Sequence, residues 1–324
     1  MFKYLRILVT LVSLQLNVNA QCLTGTYTIG GISPDYALIS DAVEALYNNG
    51  VCGPVVFDIR SGLYSDTISF VSPINGSSVV NNVVFRSSTG QKGDVQLNTA
   101  VAQSNVVIDN CSNIMFKDMT FKNTSTIEGN NLRILQHSNA SNIKLINCSF
   151  EAVTRNALFL GDNSLLLFSD CVFNSTSENI VIQGEVKNID ITHCQFTTPE
   201  RAVVCSFGQG INFSYNLFKN CGSLFAFQSV KHLKIEHNIA DSVENTFPAI
   251  SLNYVEDFSF QYNKLSTHSI FTLHGTYLIG INGCNSGTSM FMNNVINQRI
   301  DGGYENAIAL YGSNNILFYH NTIQ

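Results

Sequence analysis

Glu178 and Glu200 stand at corresponding places ahead of two short apolar runs, Ile180–Ile182 and Val203–Cys205. Hydrolysis of a glycosidic bond needs two carboxyls about 5–10 Å apart, so a fold that stacks these runs would make the pair a candidate. A second concentration of chemistry lies between Arg299 and Glu305, where Asp301 and Tyr304 add a carboxyl and a phenol. Segments of this kind often carry function. Glu178, Glu200 and Asp301 are therefore the catalytic candidates, and Arg299, Tyr304 and Glu305 are candidates for holding a ligand.

A second set of residues follows a recurring apolar triplet. Gln136, Gln183, Gln228, Asn253, His274 and Tyr311 each come directly after such a triplet, with Gly161 and Ser206 in the same place elsewhere. If the triplets are strands whose outer members point inward, these residues form one outward row. Neutral amides, an imidazole and a phenol match the donors and acceptors of sugar hydroxyls. An exposed strand face is polar for simple solvation too. A neighbouring row of Arg155, Glu178, Glu200, Arg201, Glu244 and Glu305 reads equally as loop charges in water, where ion pairs contribute little.

The element that would position these rows is a repeat. Ile143 to Phe150 reads apolar, gap, apolar, two positions, Cys, gap, apolar. The pattern returns at Leu166, Ile189, Ile211, Leu233 and Phe258, with looser copies near Ile114, Thr288 and Ile316. Near the end of each copy stands one of Met119, Cys148, Cys171, Cys194, Asn216, Asn238, Asn263, Asn293 and Asn321. Alternating apolar residues indicate strands, and Asn tolerates the left-handed conformation of a tight bend. Stacking one bend per coil at about 4.8 Å predicts an asparagine ladder, with the three cysteines as buried free thiols on the same line. A line of thiols does not converge on a metal, so no metal site and no cofactor are expected. His193, His237 and His320 share the place before the ladder and read as structural. The fold class expected is all-β, a right-handed parallel β-helix. A short helix bearing Ile39, Ala42, Val43 and Leu46 on one face is introduced by Ser33-Pro34-Asp35, stopped by Asn48-Asn49-Gly50, and caps its first coil.

Composition sets the outer limits. Only 12% of the 324 residues are charged, the net charge is -6, and asparagine occurs 38 times. Nucleic acid needs a basic footprint that is absent here. Lys3 and Arg6, the apolar run Ile7 to Leu16 and Val18-Asn19-Ala20 read as a signal peptide over 1–20. That run is too short for a membrane span, and no later segment could span one. Residues 21–60 form an N-terminal cap with the helix and a first strand, and 61–324 form the repeats, expected to be truncated at the C-terminus because the chain stops just after a ladder residue. Cys22 and Cys52 flank one short segment and are the disulfide candidate; an odd total of nine cysteines leaves at least one thiol unpaired.

The stretch Gly25 to Gly31, with Asp35-Tyr36, Asp41-Ala42-Val43, Gly53 to Phe57 and Gly62-Leu63-Tyr64, resembles exported β-helix surface proteins of bacteria that use type IX secretion. The same opening is similar to the start of pectinesterases, and the repeats look like the pectate-lyase-like superfamily. Pectinesterases pair catalytic aspartates and carry an Arg-Pro-Trp segment; this chain has no Trp and no matching aspartate motif. The polygalacturonase signatures are absent too, so no catalytic residue carries over. The expectation is a secreted or cell-surface, non-catalytic protein that binds polysaccharide or surface glycans, or mediates surface contact, through the outward row. The alternative is a carbohydrate-active enzyme (polysaccharide lyase, glycoside hydrolase or esterase) with a non-standard site.

Overall fold

The computed structural model describes residues 22–100, 104–127, 130–134, 139–245, 248–269, 277–300 and 306–324. They wind into a right-handed parallel β-helix of about 11 turns. Twelve parallel strands, from Leu23–Ile29 and Val51–Ile59 through Ile211's strand Gly208–Ser214 to Ile316–Tyr319, stack side by side as the first sheet. Two strands per coil were expected, and the structure has three columns. The segment after the ladder residue, for example Ser149–Ala152 or Val172–Ser175, is a separate strand on its own face. It joins the triplet strand without interruption in Gln195–Cys205 and Leu217–Gln228.

The corner between the first two columns shows why. One residue per coil takes a left-handed backbone there: Asn147, Asp170, His193, Tyr215, His237, Tyr262 and Asn293, with φ between 51 and 58°. The ladder residue is the next one along, so the bend and the ladder are different positions. This also moves one rung: Asn294, not Asn293, carries the ladder. Asn238 shows the pattern. Its Oδ1 accepts from the backbone N–H and the Nδ2 of Asn216, both at 3.0 Å. Its Nδ2 donates to Phe213 O at 2.9 Å and to Asn263 Oδ1 at 3.0 Å. A buried amide with all four bonds made carries no desolvation penalty from an orphaned group.

Cysteine substitutes on the rungs before the amides begin. Cys148, Cys171 and Cys194 point their sulfurs at Phe116 O, Leu145 O and Phe168 O, which are the counterparts of Phe213 O. Burial pushes the thiols of Cys148 and Cys194 up. Seven cysteines are free and buried, and Cys22 and Cys52 form the disulfide. That bridge closes a 30-residue separation and stabilises the cap by roughly 3–4 kcal/mol in the chain-entropy picture.

Phenylalanine fills the interior beside the ladder. Phe121, Phe150, Phe173, Phe196 and Phe218 stack with centroids 4.9–5.1 Å apart and planes within 11°. The helix at the N-terminal end is Ile39–Asn49, and it buries the four expected residues Ile39, Ala42, Val43 and Leu46. It starts later than expected, with Leu38 as N-cap. Asp35 is occupied elsewhere: its carboxylate accepts from the backbone and hydroxyl of Thr28, and the backbone bond holds its pKa below the usual range. The helix N-terminus is served instead by Asp66, whose Oδ2 accepts from the Ile39 and Ser40 N–H groups, an anion placed where the helix dipole favours one.

Candidate functional site

The triplet strands place the outward row. Strand pairing runs Leu160–Gln183, Gln228–Asn253, Asn253–Asn282 and Asn282–Tyr311, with Ser206 following Cys205 in the coil between. Gln183, Gln228, Asn253 and Tyr311 therefore lie in one column, as the sequence indicates. One neighbouring assignment changes. At the Arg155–Leu160 strand it is Ala157 and Phe159 that pair with the inward Ile180 and Ile182, which puts Leu158 and Leu160 outside and Leu160, not Gly161, in the row. In the long coil between Asn263 and Asn294 the triplet that pairs with Ile250-Ser251-Leu252 is Ile279-Gly280-Ile281. Asn282 thus stands beside Asn253 in the row. This enlarged coil carries two apolar triplets, and the first of them, Phe271-Thr272-Leu273, lies outside the described residues.

Gln136, His274, Asp301, Tyr304 and Glu305 lie outside the described residues. Arg299 is placed by its backbone alone, paired with His268.

Between the row and the preceding column runs a groove of about 300 Å³, at the small end of ligand sites. Val204, Ala226 and Ser251, which pair with one another in successive coils, form its floor. Arg201, Ser223 and Pro248 line one side, and Ser206, Gln228 and Asn253 the other. Small residues at the centre of each outward strand face leave the space; the row and the opposite column supply the polar rims. Asn253 Nδ2 donates to Ser251 Oγ at 3.0 Å, and Ser223 Oγ donates to Pro248 O at 2.9 Å. Both hydroxyls keep acceptor capacity towards the groove. Sequence reasoning missed Val204, Ala226, Ser251 and Ser223; their signal was small size on alternate outward positions.

Glu178 and Glu200 each have side-chain partners. Glu178 sits between two guanidinium groups: Arg155 Nε donates to Oε2 at 2.8 Å, and Arg201 Nη1 lies 4.0 Å from Oε1. Glu200 accepts from Ser177 Oγ at 2.9 Å. The column that the structure builds is Arg155, Glu178, Arg201, while Glu200 falls one residue off it. Cys205 lines the groove, but burial pushes its thiol up to about 12. It stays protonated at neutral pH and is no nucleophile. Among the described residues no group of three or more His, Cys, Asp or Glu could hold a metal, and no helix is long and apolar enough to cross a membrane.

On a different face, exposed rings follow the bend. His193, Tyr215, His237 and Tyr262 stack at 5.3, 4.8 and 4.8 Å with planes within 6°. The structural reading of His193 and His237 thus gains tyrosine partners that alternate with them.

The family model for the right handed beta helix region matches residues 133–323. The chain belongs to that family. No curated protein matches the sequence. Among solved structures, this β-helix is similar to a GH136 lacto-N-biosidase from Eubacterium ramulus, with a TM-score of 0.65 at 8% identity over 92% of this chain and 67% of that one. It is also similar to the A-module of a mannuronan C-5 epimerase from Azotobacter vinelandii, with a TM-score of 0.50 at 10% identity over 88% and 93% of the two chains. At these identities the likeness is one of fold.

Proposed function

We propose that this β-helix is an exported protein, released or held at the cell surface, that binds a glycan in the groove over Val204, Ala226 and Ser251 without transforming it. The observation that carries the reading is the groove's lining: a small-residue floor between Ser206, Gln228 and Asn253 on one rim and Arg201 and Ser223 on the other. These groups offer neutral donors and acceptors beside a single cation, the chemistry that sugar hydroxyls and ring oxygens need. The fold likeness to two proteins named for carbohydrate chemistry supports a glycan as the partner. The non-catalytic part rests on what the rims lack. Glu178 is engaged by arginines and the Cys205 thiol is held neutral, which leaves no acid–base pair facing the groove among its described lining residues.

Replacing Gln228 or Asn253 by Ala removes one or two hydrogen bonds to a bound sugar. Each bond contributes about 1 kcal/mol, so each variant should bind roughly tenfold more weakly with unchanged unfolding midpoint. Arrays of defined neutral, amino and uronic oligosaccharides, followed by calorimetry on whatever is retained, check this. A glycan that is cleaved, epimerised or de-esterified during incubation would replace the binding reading with the enzymatic one, and retention of none would remove both.

Export is supported by the charged, apolar and small-residue segments of the first twenty residues and by the Cys22–Cys52 disulfide, since such bridges persist in oxidising compartments. Protein recovered from the medium or surface should begin at Gln21 on N-terminal sequencing. A cytoplasmic pool that still begins at Met1 is the contrary result.

A further inference from the structure

The floor of the groove belongs to a column that runs much of the length of the solenoid, yet only part of it is open. In chain order the outward residues are Leu158, Val181, Val204, Ala226, Ser251, Gly280 and Ala309. Leu158 and Val181 are 7% and 1% exposed, and Ala309 is 8% exposed. Gly280 is buried, while Val204, Ala226 and Ser251 are half-buried. The open floor therefore covers three coils, about 10–15 Å at the strand spacing.

The C-terminal end is closed by an aromatic ring seated on a glycine. A side chain at Gly280 would overlap the ring of Tyr277, which lies against the glycine's outer face. Past the Asn253–Asn282 row, the ring of Tyr254 on the Ser251 coil lies against Gly283 in the same way. Tyr311 backs Tyr277, with centroids 5.7 Å apart. The floor would otherwise continue from Ser251 across Gly280, because a glycine there lowers it further; Tyr277 fills that depression.

We infer that the groove is closed at both ends and takes a short saccharide or the end of a glycan chain, a di- or trisaccharide in length, and not the interior of a through-running polymer. Tyr277 is the end wall and a specificity-determining residue. This inference rests on the glycan reading above and sharpens it. A through-running chain gains contacts from every coil it crosses, so its affinity rises with length. A closed groove saturates once the open floor is filled.

The test is calorimetry with oligosaccharides from dimer to hexamer, in three series: N-acetylglucosamine, galacturonate and mannuronate. For the wild type, the series that binds should gain affinity up to the trimer and change less than twofold beyond it. Tyr277→Ala should extend the gain to the tetramer and pentamer by threefold or more, and Tyr277→Phe should behave as the wild type, since the ring and not the hydroxyl forms the wall. Ser251→Tyr, which fills the floor from within, should abolish binding at every length while the unfolding midpoint holds. Wild-type affinity that climbs steadily to the hexamer overturns the closed groove and leaves the glycan reading standing. Binding that survives Ser251→Tyr at full strength shows that sugars bind elsewhere and overturns both.

Discussion

Asn238→Ala should destabilise the protein by about 3–5 kcal/mol, with the damage centred on one corner of two coils. Truncation removes an acceptor from the backbone N–H and side-chain amide of Asn216, and a donor from Phe213 O and Asn263 Oδ1. Each buried group left without a partner costs about 1–3 kcal/mol, and the costs overlap because the groups are neighbours. Asn238→Cys should be milder, at about half the loss. A thiol reproduces the contact to Phe213 O, as Cys194 does with Phe168 O at 3.7 Å, but it gives Asn216 no equivalent acceptor. Urea unfolding reads the total, and amide exchange at Asn216 reads the place, since in a stacked architecture each coil touches chiefly its neighbours. A loss below 1 kcal/mol with unchanged exchange at Asn216 would mean that the ladder does not hold this corner.

The ladder was legible because it is periodic and chemically narrow. Only an amide satisfies both a backbone N–H and a carbonyl of the preceding coil, whereas a thiol meets the carbonyl alone, so Asn216, Asn238 and Asn263 repeat in type as well as in position. What the pattern did not show was which residue makes the bend. His193, Tyr215, His237 and Tyr262 share a left-handed backbone but not a chemical type, and a conformational requirement met by several residue types leaves a weak trace in one sequence. The slip from Asn293 to Asn294 has the same origin: two adjacent asparagines satisfy the bend and the rung, and only coordinates tell which does which.

The candidate site was half legible for a related reason. Gln183, Gln228 and Asn253 could be aligned because apolar triplets precede them and strand alternation fixes their side. The groove itself is made by absence. Ala226, Ser251 and Gly280 matter for being small on an outward face, and small residues are common enough that no spacing marks them. Tyr277 could not have been placed at all, since its meaning depends on Gly280 pairing with Ser251, and that register was hidden by the longer coil. Charge misled in the opposite direction. Glu178 and Glu200 stand out in a chain this poor in charged residues, yet the arginines beside Glu178 were in the same row from the start, and an ion pair is the cheaper explanation of a lone acid.

Phe196→Ala should cost about 3–5 kcal/mol, the range for removing a large buried ring where the surroundings cannot collapse. Collapse is restricted here because the ring is fully buried and held between Phe173 and Phe218, each 4.9 Å away and nearly coplanar. Those neighbours are fixed by their own coils, so the void stays open. Phe196→Leu keeps most of the volume and should cost less than about 1.5 kcal/mol. The position also couples stability to the groove. Phe196 and Val204 belong to one uninterrupted strand, Gln195–Cys205, whose ring end anchors the coil inside while its far end supplies Arg201, Val204 and Cys205 to the groove. Well below its midpoint, the Ala variant should therefore bind glycan more weakly even though the substitution touches no groove residue, whereas Gln228→Ala should weaken binding at unchanged stability. Denaturant curves and calorimetry on the two variants separate these outcomes. A Phe196→Ala protein that loses stability but binds at wild-type strength would show that the two halves of this strand are mechanically independent.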